Sequence, residues 1–143
     1  MAKQRSFSVE WNAPKAGDYD ARVTNIEIYY REAVSLRIDY ETASDPRYGL
    51  FEFIRIDAPT HNPRYAEIGQ GKARIVQLAK AAGIDPKAIN SIEALPDLLT
   101  GVRVKIRLGL QIKDGVQTPV VRTVLGPAGP EPQDDGKPPD NAK

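Results

Sequence analysis

The chain has 143 residues, a net charge of +1, no cysteine and one histidine. This length suits one domain with a single modest core, and the composition excludes disulfides, thiolate metal sites and cysteine nucleophiles. No apolar run resembles a signal-peptide core or is long enough to cross a bilayer, so we expect a soluble intracellular protein with no membrane association.

Three strands are predicted in the first part of the chain. From Asp18 the apolar side chains alternate as far as Val23 and resume one step out of phase at Ile26, and such a slip indicates a β-bulge. Residues 34–41 alternate without interruption, as expected for a strand with one buried face. Residues 50–57 form the third predicted strand.

One long helix is predicted between residues 60 and 85. Asn62 can cap the first amides, Pro63 suits the first helical position, and Gly83 suits the residue after the last turn. Two short helical turns are expected before Gly101. The chain therefore contains one helix long enough to cover a sheet or one end of a barrel.

The helix contains GlyGlnGlyLys, residues 69–72, which superficially resembles a phosphate-binding loop. Such a loop needs four residues between its glycines and a hydroxyl residue after its lysine. Here one residue separates the glycines and Ala73 follows the lysine. We interpret Gly69 and Gly71 as places of close packing or of a loose helical start, and expect the regular helix to begin near Lys72.

Residues 102–108 and 118–125 are the fourth and fifth predicted strands, joined by a tight turn at Asp114 and Gly115. Three strands, a helix and two strands are the order of the OB-fold, a five-stranded, partly open all-β barrel with a helix between strands 3 and 4. This fold is expected for residues 1–125.

Residues 126–143 have a different composition from the rest of the chain. They contain five prolines, three glycines and no large apolar side chain, and their four carboxylates against two lysines give a net charge of −2. Because the whole chain carries +1, the body carries +3. We predict a disordered acidic tail, which either only keeps the protein soluble or competes with a polyanion for the basic body.

Basic side chains alternate with apolar ones on several predicted strands, so they point away from the core together. A solvated face explains any single one of them, but four strands that each present a cation favour a polyanionic ligand. OB-folds bind oligonucleotides or oligosaccharides on the face of strands 2 and 3. The predicted phosphate ligands are Arg22, Arg37, Arg55, Arg103, Lys105 and Arg107.

The third strand allows two interpretations. Phe51 and Phe53 share a face opposite an aliphatic one, so they form either a solvent-facing platform for stacked bases or part of the core, and Glu52 on the aliphatic face complicates the first choice. Further candidates are Arg47 and Tyr48 in the loop between strands 2 and 3, and Tyr29, Tyr30 and Arg31 at the turn between strands 1 and 2.

Three segments resemble a known family. They are the AsnPro-initiated helix that ends in AlaAlaGly (residues 62–83), the pattern formed by Leu99, Gly101, Val104 and Ile106, and AlaGlyAspTyrAspAlaArgVal (residues 16–23). Together they resemble a bacteriophage-encoded family, formerly a domain of unknown function, some members of which are single-stranded DNA-binding proteins of OB-fold. The resemblance covers roughly residues 14–125.

The resemblance implies single-stranded DNA as the ligand, phage replication or recombination as the setting, and the host cytoplasm as the location. Phage or host replication and recombination proteins would be further partners. The shared motifs are structural and carry no catalytic residue, so we expect a non-catalytic protein without a cofactor.

Two other functions remain open. The same barrel could serve as a phage structural or adaptor module that contacts proteins. A metal-dependent nuclease would need acidic side chains to meet around a divalent ion, and Asp39, Glu41, Glu52 and Asp57 are the candidates.

Overall fold

The computed structural model describes residues 15–42 and 49–129. Arg47 and Tyr48 therefore lie outside the described residues. Within the described ranges, no helix combines the length and the apolar character needed to span a membrane. The elements are β1 (Gly17–Tyr29), β2 (Val34–Thr42), β3 (Leu50–Asp57), a 3-10 turn (Pro63–Glu67), α1 (Ile68–Ala81), 3-10 turns at Pro86–Ala88 and Ile92–Ala94, α2 (Leu95–Leu99), β4 (Arg103–Lys113) and β5 (Val116–Pro127).

The five strands form one antiparallel sheet in the order β3-β2-β1-β4-β5. Residues 21–29 of β1 pair with β2 and residues 17–22 pair with β4, with the predicted bulge between Val23 and Asn25. This double pairing curls the sheet until β3 approaches β5. The result is a nearly closed barrel with its main helix between strands 3 and 4, which confirms the predicted OB-like fold.

The core fills the inside of the barrel. Leu36 and Ile38 of β2 and Val104 and Ile106 of β4 are fully buried, and they alternate with outward-facing polar residues. Leu78 of α1 is also fully buried against this cluster. Burial of these branched apolar side chains is the main stabilising contribution, and it determines which side chains the outer face presents.

The helix α1 packs closely on β3. A Cβ added at Gly71 would lie 1.9 Å from the carbonyl oxygen of Arg55, whereas a Cβ at Gly69 would meet no described atom within 4 Å beyond its chain neighbours and its own helix backbone. Close packing therefore applies to Gly71 alone. The expected helical start near Lys72 was wrong: α1 begins at Ile68, because tertiary packing outweighs the low helical propensity of glycine.

Side chains of α1 close the seam between β3 and β5. The Arg74 guanidinium donates to the Glu52 carboxylate of β3 at 3.0 Å and to the Val121 carbonyl of β5 at 3.2 Å. The Tyr40 hydroxyl also donates to Glu52, at 2.5 Å. Gln77 accepts from Arg74 at 2.7 Å and from the backbone of β5 at 3.2 Å. The inward-facing Glu52 is thus fully engaged in this seam.

The hairpin of β4 and β5 is longer than the sequence predicted. Asp114 and Gly115 have φ angles of 53° and 78°, which confirms the expected tight turn. The strands extend to this turn as a ribbon that presents Leu110, Ile112 and Val116 to solvent. At its other end β5 continues to Pro127, so the predicted tail starts inside the strand.

Candidate nucleic-acid interface

Phe51 and Phe53 lie on the outer face of β3. They are 44% and 47% exposed, whereas Leu50, Ile54 and Ile56 of the opposite face are buried. The aliphatic face is therefore the inner one, as the platform interpretation requires. Glu52, which complicated this choice, is accommodated inside because Arg74 and Tyr40 satisfy its carboxylate.

Four side chains on three strands form one cluster around these rings. Tyr29 meets Phe53 with centroids 5.6 Å apart and planes at 61°, and Phe51 meets Phe53 at 5.8 Å and 89°. The guanidinium carbon of Arg37 lies 4.2 Å from the Phe51 centroid. These are edge-to-face and cation–π geometries. We call Tyr29, Arg37, Phe51 and Phe53 the aromatic cluster.

Two carboxylates lie beside Arg37 and Tyr29 of the aromatic cluster. The Nε of Arg37 donates to Asp39 Oδ1 at 3.0 Å, and Glu27 lies directly opposite Arg37 on β1. The Tyr29 hydroxyl donates to Glu27 at 3.3 Å. The hydrogen bond to Asp39 raises the pKa of Arg37, and Glu27 adds to the effect. The positive charge of Arg37 is thus outweighed locally by two carboxylates.

A second group of predicted ligands lies on β1 and β4. Arg107 contacts Asp18 at 2.9 Å and Lys105 contacts Asp20 at 3.5 Å, each pair being directly opposite in the register. The hydrogen bond from Arg107 lowers the pKa of Asp18, and the same bond raises the pKa of Arg107. We call these four residues the charge ladder. Two of the predicted phosphate ligands are therefore already paired with carboxylates.

Next to the charge ladder, β1 and β4 each contribute one arginine. Arg22 and Arg103 are directly opposite each other in the register. Arg22 donates to the Gly101 carbonyl at 3.1 Å and Arg103 donates to the Gly129 carbonyl at 2.9 Å. Carbonyl acceptors carry no net charge, so the contact of Arg103 with Gly129 leaves its positive charge in place.

The remaining predicted ligand, Arg55, lies at the junction of β3 and α1. Its Nε is 3.9 Å from Glu67, and its side chain is 24% exposed. It shares the outer face of β3 with the aromatic cluster. The structure thus brings together Arg37, Phe51, Phe53 and Arg55 on strands 2 and 3, and separately Arg22, Arg103, Lys105 and Arg107 on strands 1 and 4.

The four acidic residues considered for a metal do not share one site. Asp39 pairs with Arg37 on the outer face, whereas Glu52 faces the seam and pairs with Arg74. Across residues 15–42 and 49–129, no three histidine, aspartate or glutamate side chains are grouped to hold a metal ion.

The sequence did not reveal the carboxylates that pair with Arg37 in the aromatic cluster or with the cations of the charge ladder. Asp18 and Asp20 alternate with Arg22 in the sequence, so their outward direction was predictable. Their pairing was not, because Asp18 and Arg107 are 89 residues apart and meet only through the register of β1 against β4. Tyr29 was a rim candidate, and the structure places it inside the aromatic cluster.

No protein-family model and no curated protein matches the chain. The resemblance to the phage family therefore remains a prediction from the quoted motifs. A functional assignment depends on the barrel and on the chemistry of its outer face.

Proposed function

We propose that the protein binds single-stranded DNA with little sequence preference and without catalysis, in phage replication or recombination. The observation that carries this proposal is the solvent-facing aromatic cluster on strands 2 and 3. Exposed rings on a barrel of this type offer stacking surfaces to bases of any identity, because every base has a flat π face. The setting is that of the phage family that the motifs resemble.

The phosphates would be held by cations of β1 and β4, at the other end of β1 from Tyr29. Arg22 and Arg103 lie side by side there, and the charge ladder adds Lys105 and Arg107. Exposed ion pairs contribute little to stability, so a phosphate can replace Asp18 or Asp20 as the partner of a ladder cation at small cost. The single-stranded DNA would then run from the aromatic cluster across β1 to β4.

The test is fluorescence anisotropy of a labelled thymidine oligomer, titrated with the full chain at several salt concentrations. We expect binding that weakens with salt and that a duplex of equal length does not compete away. With about four phosphates neutralised, the logarithm of affinity against the logarithm of salt would have a slope of about −3. No binding at low salt would refute the proposal.

A second candidate is the phage structural or adaptor module. The exposed apolar side chains on one face of β4 in the ribbon favour it: Leu110 is 37% exposed and Ile112 is 69% exposed. Surfaces of this kind commonly mark protein contacts. The anisotropy titration distinguishes the two, because a module that uses only this apolar surface would not bind the oligomer.

A further inference from the structure

We propose that Arg37 binds a base through the flat face of its guanidinium and does not neutralise a phosphate. This inference rests on the proposed function and refines it, because the sequence pattern assigned Arg37 to the phosphates. It divides the interface into a part that contacts bases and a part that contacts the backbone.

Arg37 is already in contact with an aromatic ring. Its guanidinium carbon lies 4.2 Å from the centroid of Phe51, and Asp39 holds its Nε at 3.0 Å. A guanidinium is planar and stacks on aromatic rings, and nucleic-acid bases stack on guanidinium planes in turn. The ring and the carboxylate together restrain the guanidinium before any ligand arrives, which lowers the entropy cost of stacking.

The electrostatics around Arg37 disfavour a phosphate. Asp39 is bonded to it and Glu27 is directly opposite, so the three side chains together carry a net negative charge. A phosphate that approached this guanidinium would meet two carboxylates at close range. An uncharged base meets no such repulsion, and it gains contact with the rings and the guanidinium plane.

The acceptor bound by Arg103 differs from the carboxylates beside Arg37. Its guanidinium donates to the backbone carbonyl of Gly129 at 2.9 Å, an acceptor that leaves its charge available. The neighbouring ladder cations Lys105 and Arg107 are paired with Asp20 and Asp18. Arg103 is therefore the matched control: an arginine on the same outer face with the role that Arg37 lacks.

The experiment compares two probes of equal length, a thymidine oligomer and an oligomer of abasic sugar phosphates. Both are titrated with the full chain at several salt concentrations, for the wild type, Arg37→Gln, Arg37→Lys and Arg103→Gln. Circular dichroism confirms that each variant folds. Lysine keeps the charge of Arg37 and removes its plane, so Arg37→Lys decides the question even if Arg37→Gln does not fold.

We expect both Arg37 variants to bind the thymidine oligomer at least about fivefold more weakly than the wild type does. Their salt slope and their affinity for the abasic oligomer should equal those of the wild type. Arg103→Gln should reduce the steepness of the salt slope by about 0.7 and weaken both probes alike.

Three results would overturn the inference while single-strand binding survives. The first is a salt slope for Arg37→Gln that is less steep by about 0.7, with wild-type affinity in Arg37→Lys, which would make Arg37 a phosphate ligand. The second is wild-type behaviour in both variants. The third is equal wild-type affinity for the two probes. If the wild type bound neither probe, the proposed function itself would fail.

Discussion

The Arg74 guanidinium of α1 and the Glu52 carboxylate of β3 form an ion pair in which the two side chains are only 13% and 12% exposed. The same guanidinium reaches two carbonyls of β5. One side chain of the helix therefore joins the first and last strands of the sheet order. Since Phe51 and Phe53 flank Glu52 on the opposite face of β3, this pair also anchors the strand that carries the aromatic platform.

Replacing Arg74 by Met should lower the free energy of unfolding by about 3–5 kcal/mol, because it leaves the Glu52 carboxylate buried without its cation. Urea unfolding measures the change. Arg64→Met is the matched control, since Arg64 pairs with Glu67 on the surface with side chains 55% and 45% exposed. If the two variants were equally stable, the seam pair would have no special role.

Stability should fall at alkaline pH through Tyr40. Burial and the neighbouring Glu52 raise the pKa of this phenol well above its ordinary value of 10.0. Above pH 10 the unfolded chain releases this proton and the folded chain retains it, so the free energy of unfolding decreases as pH rises. Tyr40→Phe should flatten this decrease, which urea unfolding at a series of pH values above 9 can measure. An unchanged slope in the variant would contradict the assignment.

The two glycines of α1 should respond oppositely to alanine. Gly71→Ala would place a methyl group against the carbonyl of Arg55 and should cost about 1–3 kcal/mol through overpacking. Gly69→Ala meets no described atom within 4 Å beyond its chain neighbours and its own helix backbone and should add about 0.5–1 kcal/mol through helical propensity. Thermal unfolding of the two variants gives the comparison. Stabilisation by Gly71→Ala would show that α1 can move away from β3.

Removing the carboxylate of Asp18 should tighten DNA binding at low salt. Asp18→Asn releases Arg107 for a phosphate, and the gain should shrink as salt screens the contact. Asp97→Asn changes net charge equally on the first turn of α2 and should have a smaller effect. Anisotropy titrations of the thymidine oligomer measure both, and equal effects would mean that net charge alone matters.

Removal of residues 130–143 should likewise strengthen DNA binding at low salt if the acidic tail competes for the basic face. The truncation begins after Gly129 because the backbone N–H of Ala128 donates to the Arg103 carbonyl at 3.4 Å and Arg103 contacts Gly129. Affinity equal to that of the full chain would refute tail competition.

The sequence was sufficient for the number and order of the strands and insufficient for the length of the last hairpin and for the chemistry of the surface. The alternation of apolar and polar side chains is a local pattern, so the boundaries of β3 and the bulge in β1 could be predicted from it. The orientation of Phe51 could not, because Glu52 made both faces of β3 look partly polar and its partner Arg74 lies 22 residues away. Ion pairs across strands depend on register, which sequence alternation leaves undetermined.

The seam has a consequence for how the barrel forms and opens. Its hydrogen bonds join Arg74 to acceptors 22 and 47 residues away in the chain, whereas β4 and β5 meet through a tight turn. Contacts that close long loops carry the larger entropy cost and tend to form late. We therefore expect the native barrel to open locally at this seam while the hairpins stay paired. The backbone amide of Val124, which donates to Gln77 across the seam, should then exchange early with solvent.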